Sequence, residues 1–178
     1  PMRVDAVVVS SQHSPLVTQE TMKAQATTTL GDALRNVPGI TIAIGEGGTL
    51  AGDQFKIRGF DAKDDVYLDG LRDFAAYTRD SFNYAEVQVL KGPSGLMFGR
   101  GTTGGAINTV SKMPMLRNES TLHIEGGNGD HVRATADLNY KISESAALRM
   151  NAMYTSTGVV DRDLTYSHRW GIAPTLAL

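Results

Sequence analysis

The chain has 178 residues, 41% of them hydrophobic and 20% charged, with 17 basic against 19 acidic side chains and a formal net charge of −2. Such a chain suits one domain, or one domain with part of another, and it carries no basic excess that would draw it to nucleic acid or to an anionic membrane surface. Its lack of cysteine excludes disulfide scaffolds, thiolate zinc sites and cysteine nucleophiles, and without a run of about 18 apolar residues a transmembrane helix is excluded, although a β-barrel is not.

The chain starts at Pro1 with no charged-then-apolar leader before it, the expectation for a processed or truncated protein. The β-branched run Val4-Asp5-Ala6-Val7-Val8-Val9 then gives way to polar residues up to Pro15, which fits an edge strand, an extended arm or a frayed end. One helix is well marked. Thr29 and Asp32 form a capping-box pair, Leu30, Ala33, Leu34 and Val37 fall on one face, and Pro38-Gly39 ends it. A strand follows at Ile40, Ile42 and Ile44, then a glycine-rich loop over 45–52.

Phe55 to Phe60 reads as one strand with Arg58 facing away from Ile57, and Val66-Tyr67-Leu68 as a short strand ending in the turn Asp69-Gly70. Further strands are expected at Val87–Leu90, before Gly92-Pro93, and at Ala106–Val110, whereas Arg72 to Tyr84 shows no period. These pieces make a small mixed α+β domain. After Pro114 the texture changes to strict alternation. Leu122 and Ile124, then Val132, Ala134, Ala136, Leu138 and Tyr140, then Ala146, Leu148, Met150, Ala152 and Tyr154 interleave with polar residues. That is the pattern of tilted membrane strands, and a soluble antiparallel meander permits it too. The connections expected are a turn at Gly126–Asp130, a tight turn at Ser143–Ser145 and a longer polar loop over Ser156–Ser167, with Tyr166 and Trp170 suited to an interfacial girdle.

Enzyme chemistry does not emerge. Gly99-Arg100-Gly101-Thr102-Thr103-Gly104 matches the dinucleotide fingerprint in letters but leads into a strand where that fingerprint needs a helix. His13, His123, His131 and His168 are scattered, and Asp61, Asp64, Asp65 and Asp69 read as solvated turns.

What remains is a series of short segments in a distinctive order. Ile57-Arg58-Gly59-Phe60, Val66-Tyr67-Leu68-Asp69-Gly70, Val87 through Lys91-Gly92-Pro93, Leu96-Met97-Phe98-Gly99 and Gly104-Gly105-Ala106-Ile107-Asn108 through Ser111-Lys112 follow the segment Thr29–Ile40 at close intervals. The series resembles the plug domain of TonB-dependent outer-membrane receptors. Tyr67-Leu68-Asp69-Gly70-Leu71-Arg72-Asp73-Phe74 and Tyr77-Thr78-Arg79-Asp80-Ser81-Phe82-Asn83 are most similar to catecholate-type siderophore receptors.

The resemblance implies an α+β plug followed by the opening antiparallel strands of an incomplete transmembrane barrel of roughly 22 strands. Its divisions are an arm at 1–14, a plug at 15–114 and about four strands at 115–178. On that basis Val4, Asp5, Ala6, Val7, Val8 and Val9 are a TonB box, offered to the energy transducer TonB by strand addition. Glu46, Lys63, Arg72, Phe74, Tyr77 and Arg79 sit on siderophore-facing loops, and Arg58 and Arg100 meet the barrel wall. The implied function is uptake of a ferric siderophore across the outer membrane of a Gram-negative bacterium, with no resident cofactor and no metal site of its own. Barrel lipid and TonB are the partners and nucleic acid is not. The stretch between the TonB box and Thr18 is short for the family, which leaves an early plug strand open. Four strands cannot close a barrel, so a part of a longer receptor, or a decayed gene product, is expected. The alternative is a soluble periplasmic ligand-binding or signalling module that reuses the plug fold.

Overall fold

A computed structural model describes residues 16–43, 52–75, 77–92, 104–128, 130–159 and 162–178. The arm Val4–Val9, Glu46 and Arg100 lie outside the described residues. The chain divides into two compact units, Pro1–Arg79 with Glu86–Val110, and Asp80–Ala85 with Ser111–Leu178.

In the first unit, β1 (Leu16–Thr18) leads into α1 (Gln19–Ala24) and α2 (Leu30–Leu34). Helix α2 starts where the sequence says it must. Thr29 Oγ1 accepts from the Asp32 amide at 3.1 Å while Asp32 Oδ2 accepts from the Thr29 amide at 3.2 Å, so each satisfies a donor that the helix start would otherwise leave open. Leu30, Ala33, Leu34 and Val37 are all buried, the single apolar face their spacing calls for. Helix α1 gave no such signal, because only Met22 of its six residues is buried and the end is set by Thr18, whose hydroxyl accepts from the Thr21 amide. β1, three residues long, pairs antiparallel with β7 (Tyr84–Lys91).

Two hairpins give the unit its corners. The stretch expected to be one strand from Phe55 to Phe60 is instead β3 (Phe55–Ile57) and β4 (Phe60–Asp61), folded back at Arg58 and Gly59 with φ of 53° and 85°. Asp69 and Gly70 (φ 51° and 80°) turn β5 (Val66–Leu68) into β6 (Leu71–Arg72) in the same way. Positive φ at both central residues makes these type I′ turns, whose twist matches that of the strands they join. β2 (Ile40–Ile42), β3 and β4 form a small sheet. A larger one runs β1-β7-β8-β5-β6, with β8 (Gly105–Ser111) parallel to β5. Leu30, Leu34, Phe55, Ile57, Val66, Val87, Val89 and Ile107 are buried in a conventional apolar core. Gly105 (φ 143°) is required within that packing, since a Cβ there would lie 2.0 Å from the Leu90 carbonyl oxygen.

The second unit is an antiparallel sheet ordered β12-β11-β10-β9, from β9 (Glu119–Gly127), β10 (His131–Lys141), β11 (Ala147–Val159) and β12 (Arg162–Ala177). Much of the polar loop expected over 156–167 is strand. Ser156 opposes His168, Thr157 opposes Ser167 and Gly158 opposes Tyr166. With polar residues on both faces, that part of the hairpin carried no alternation to reveal it.

The faces of this sheet are inverted. Leu122, Ile124, Val132, Leu138, Tyr140, Met150, Tyr154, Trp170, Ile172 and Leu176 are exposed, whereas Arg133, Asn139, Asn151 and Thr155 are buried. In water the apolar row would turn inward. A barrel wall in lipid carries apolar side chains outside and polar ones toward its lumen. Trp170, 76% exposed, stands on the apolar face as a girdle residue does. The soluble meander is not the reading this burial supports.

Candidate functional site

β6 and the residues that follow it carry Arg72, Phe74, Tyr77 and Arg79. The hairpin β5–β6 projects Arg72, whose Nη2 donates to Asp65 Oδ1 at 2.8 Å and whose guanidinium lies 5.5 Å from the Phe74 ring centre and 5.8 Å from that of Tyr67. Burial lowers the Arg72 pKa, but the Asp65 hydrogen bond and the Tyr67 and Asp65 charges more than offset it, so the group stays cationic. Phe74, 70% exposed, and Leu71 present apolar surface beside that charge. An exposed ring next to a guanidinium is chemistry suited to a flat, electron-rich or anionic ligand.

Arg79 is placed otherwise than expected. It is 2% exposed, one of the largest fully buried side chains, and serves as an internal clamp. Its Nε donates to Asp73 Oδ2 at 3.0 Å, Nη2 to the Ala75 carbonyl at 2.8 Å, and Nη1 stands 3.6 Å from Asp53 Oδ2. The backbone closes the same knot. The Arg79 amide donates to Asp53 Oδ2 and the Asp53 amide to the Tyr77 carbonyl, while the Arg79 carbonyl accepts from the Leu30 amide at the start of α2. Tyr77 lays its ring against the Arg79 guanidinium, 4.5 Å to its centre, and donates its hydroxyl to Asp73 Oδ2 at 2.8 Å. Burial alone would raise the Asp73 pKa. The hydrogen bonds from Tyr77 and Arg79 overcome it and hold the carboxyl below its usual range. Burial and the Asp73 carboxylate push the Tyr77 hydroxyl up.

Of the remaining expected residues, Lys63 is exposed in the turn after β4, and Arg58 is exposed at the tip of the β3–β4 hairpin. The structure thus brings Arg72 to Phe74 and Tyr77 to Arg79, and keeps Arg58 apart on its own hairpin. Sequence reasoning missed Asp53, Asp65 and Asp73, the acceptors that hold both arginines. The only signal was a surplus of carboxylates around an aperiodic stretch. It also missed Asp80 and Arg133, whose side chains pair in the second unit, although Arg133 falls on the polar parity of β10. Among the described residues, no cluster of His, Asp or Glu is arranged to hold a metal.

An α+β unit with this strand order, followed by strands with an outward apolar face, defines a class. The chain belongs to the TonB-dependent receptors, since the family model described as the TonB-dependent receptor plug domain matches residues 6–106. It is 39% identical to the catecholate siderophore receptor Fiu of Escherichia coli K12 over 91% of the chain, and 32% identical to the probable TonB-dependent siderophore receptor PiuA of Acinetobacter baumannii over 90%. The chain spans 22% of the length of each of these relatives. Among solved structures it superposes on the closed form of the ferric-catecholate import receptor Fiu with a TM-score of 0.88 at 35% identity, covering 96% of this chain and 24% of that one. For PiuA the TM-score is 0.85 at 32% identity, covering 92% and 23%. The fold is therefore a mixed-sheet plug followed by antiparallel barrel strands, and its place is the outer membrane of a Gram-negative bacterium.

Proposed function

We propose that the chain is the plug and first four strands of a receptor that takes up a ferric siderophore across the outer membrane with energy from TonB. The observation that carries this reading is the Arg72–Phe74–Tyr77 surface, held out from the plug by the buried Arg79 clamp. Arg72 supplies charge-assisted hydrogen bonds to catecholate oxygens, and Phe74 and Tyr77 stack on the rings. Arg79 acts from beneath, as the residue that fixes the loop. Lys63 and Glu46 extend the same ligand-facing set, and Arg58 and Arg100 pair with carboxylates of the barrel wall. The plug arm Val4–Val9 adds a strand to TonB, so that pulling on it rearranges the plug. The divisions 1–14, 15–114 and 115–178 describe arm, plug and strands.

Uptake of iron-loaded siderophore by cells carrying the full-length receptor tests this. Arg72→Ala removes a charge-assisted bond and weakens siderophore binding by about tenfold. Val8→Pro removes a ladder donor, abolishes uptake and leaves binding intact. Unaltered uptake in the proline variant counts against the TonB role, and unaltered binding in Arg72→Ala counts against the ligand surface.

A further inference from the structure

The six residues Asp80–Ala85 include the first two residues of β7, yet they pack as part of the strand unit. Their attachments are specific. Asp80 Oδ1 and Oδ2 receive Arg133 Nη2 and Nη1 at 2.6 and 2.8 Å, a two-pronged pair whose side chains are each 5% exposed. Arg133 Nη1 also donates to Thr155 Oγ1 at 2.8 Å, and its Nε lies 3.5 Å from Glu125 Oε1, so the pair is tied into β9, β10 and β11. Arg169 of β12 stands 4.0 Å from Asp80 Oδ2. Asp80 further accepts from the Phe82 amide at 3.0 Å and so orders the 3-10 turn Ser81–Asn83. The Phe82 carbonyl accepts from Lys112 Nζ at 2.7 Å, and the Asn83 carbonyl from the Lys112 amide at 2.9 Å. Finally, the Phe82 ring packs closely against Gly171, so that a side chain there would require the ring to shift by a few tenths of an ångström. A Cβ on Gly171 would approach its Cζ to 3.1 Å.

We propose that Asp80–Ala85 is a fixed anchor that stays with the strands while the rest of the plug rearranges. The movement is then taken up at the Arg79–Asp80 and Ala85–Glu86 junctions. This rests on the reading above, in which pulling on the arm rearranges the plug. Withdrawing the segment would strand a buried guanidinium without its carboxylate and empty the seat at Gly171, both strongly unfavourable. By contrast, β1 lies at the edge of its sheet among the described residues and is joined to β7 by three residue pairs, without a buried ion pair across that joint there.

The experiment joins cysteine pairs in the full-length receptor with a short, reducible bis-thiosulfonate linker and follows uptake of iron-loaded siderophore. Phe82→Cys with Gly171→Cys fastens the anchor to β12. Leu16→Cys with Gln88→Cys, opposed residues of β1 and β7, staples the plug to itself. The expected result is that linking 82 to 171 leaves uptake intact, whereas linking 16 to 88 stops it until reductant is added. Loss of uptake in both, each restored by reductant, overturns the anchor while leaving plug rearrangement standing. Intact uptake in both overturns the rearrangement itself, and the anchor falls with it.

Discussion

The two units bury opposite kinds of side chain. The plug unit encloses Phe55, Leu30, Leu34, Ile57 and Ile107, as a protein in water does, whereas the strand unit encloses Asn151, Arg133, Asn139 and Thr155 and turns leucine, isoleucine and tryptophan outward. One chain therefore shows two patterns of burial. The rule is the same hydrophobic effect in both places, and the solvent on the far side is what changes. In the plug, stability resides in apolar area removed from water. In the strands, the inward groups are polar and must satisfy one another, so ion pairs and side-chain hydrogen bonds take the place of an apolar core.

The largest effects should come from breaking one of those inward pairs. Asp80→Ala leaves Arg133 buried with Thr155 and the more distant Glu125 as its partners. It is expected to destabilise the strand unit by about 3–5 kcal/mol. Replacing both partners, Asp80→Leu with Arg133→Met, removes the stranded charge and should restore most of the loss. Denaturant unfolding of the full-length receptor in lipid vesicles measures both. If the single and double variants were equally unstable, the pair would be acting through shape rather than charge.

Next come substitutions that separate the two solvents directly. Leu34→Ala, inside the plug, should cost about 2–5 kcal/mol whatever surrounds the receptor. Leu122→Arg places a charge on the face that is 69% exposed at that residue. It should cost about 2–4 kcal/mol on folding into a bilayer if Leu122 lies near the midplane. On a water-facing sheet the same change falls within about 0.5 kcal/mol. A near-zero effect in vesicles for Leu122→Arg and equally for Leu138→Arg, another outward residue, would count against a lipid-facing sheet and undo the comparison.

Much of this contrast was legible in the sequence, for identifiable reasons. The α2 start could be read because Thr29, Asp32 and the apolar face all point the same way, and the strands 119–155 because alternation over long stretches has few other meanings. Helix α1 could not be read, since its one buried residue makes no periodicity. The β3–β4 corner was hidden because arginine at positive φ is unusual, and Arg58-Gly59 lacks the Asn or Asp that marks such turns. Arg72 and Phe74 meet within one short stretch, as do Tyr77 and Arg79, but the pairing of Arg79 also draws on Asp53, distant in sequence and brought in only by the fold. Residue type announces a charge. It does not announce which way that charge faces.

The smallest expected effect concerns that clamp, and it sharpens the contrast because here the plug too relies on a buried polar knot. Asp73 has a folded pKa below its unfolded one, since the Tyr77 and Arg79 hydrogen bonds outweigh the burial that opposes them. Its contribution is therefore present above the ordinary carboxylate value near about 4 and is lost as pH falls through the lower, folded value. Tyr77 is shifted the opposite way and stays protonated, so its donation to Asp73 persists across the neutral range and fails only in strong alkali. The Tyr77–Asp73–Arg79 contacts are then expected to hold across neutral pH and to weaken at the acid end. Peptic cleavage beside the exposed Phe74 in the full-length receptor, followed from about pH 4 downward, should accelerate as Asp73 takes up its proton. Asp73→Asn keeps the shape but has no proton to gain, so its cleavage should start higher and lack that acid step. An identical step in the asparagine variant would assign the transition to another carboxylate, and Arg79 would then hold the loop through Asp53 and the backbone carbonyls alone.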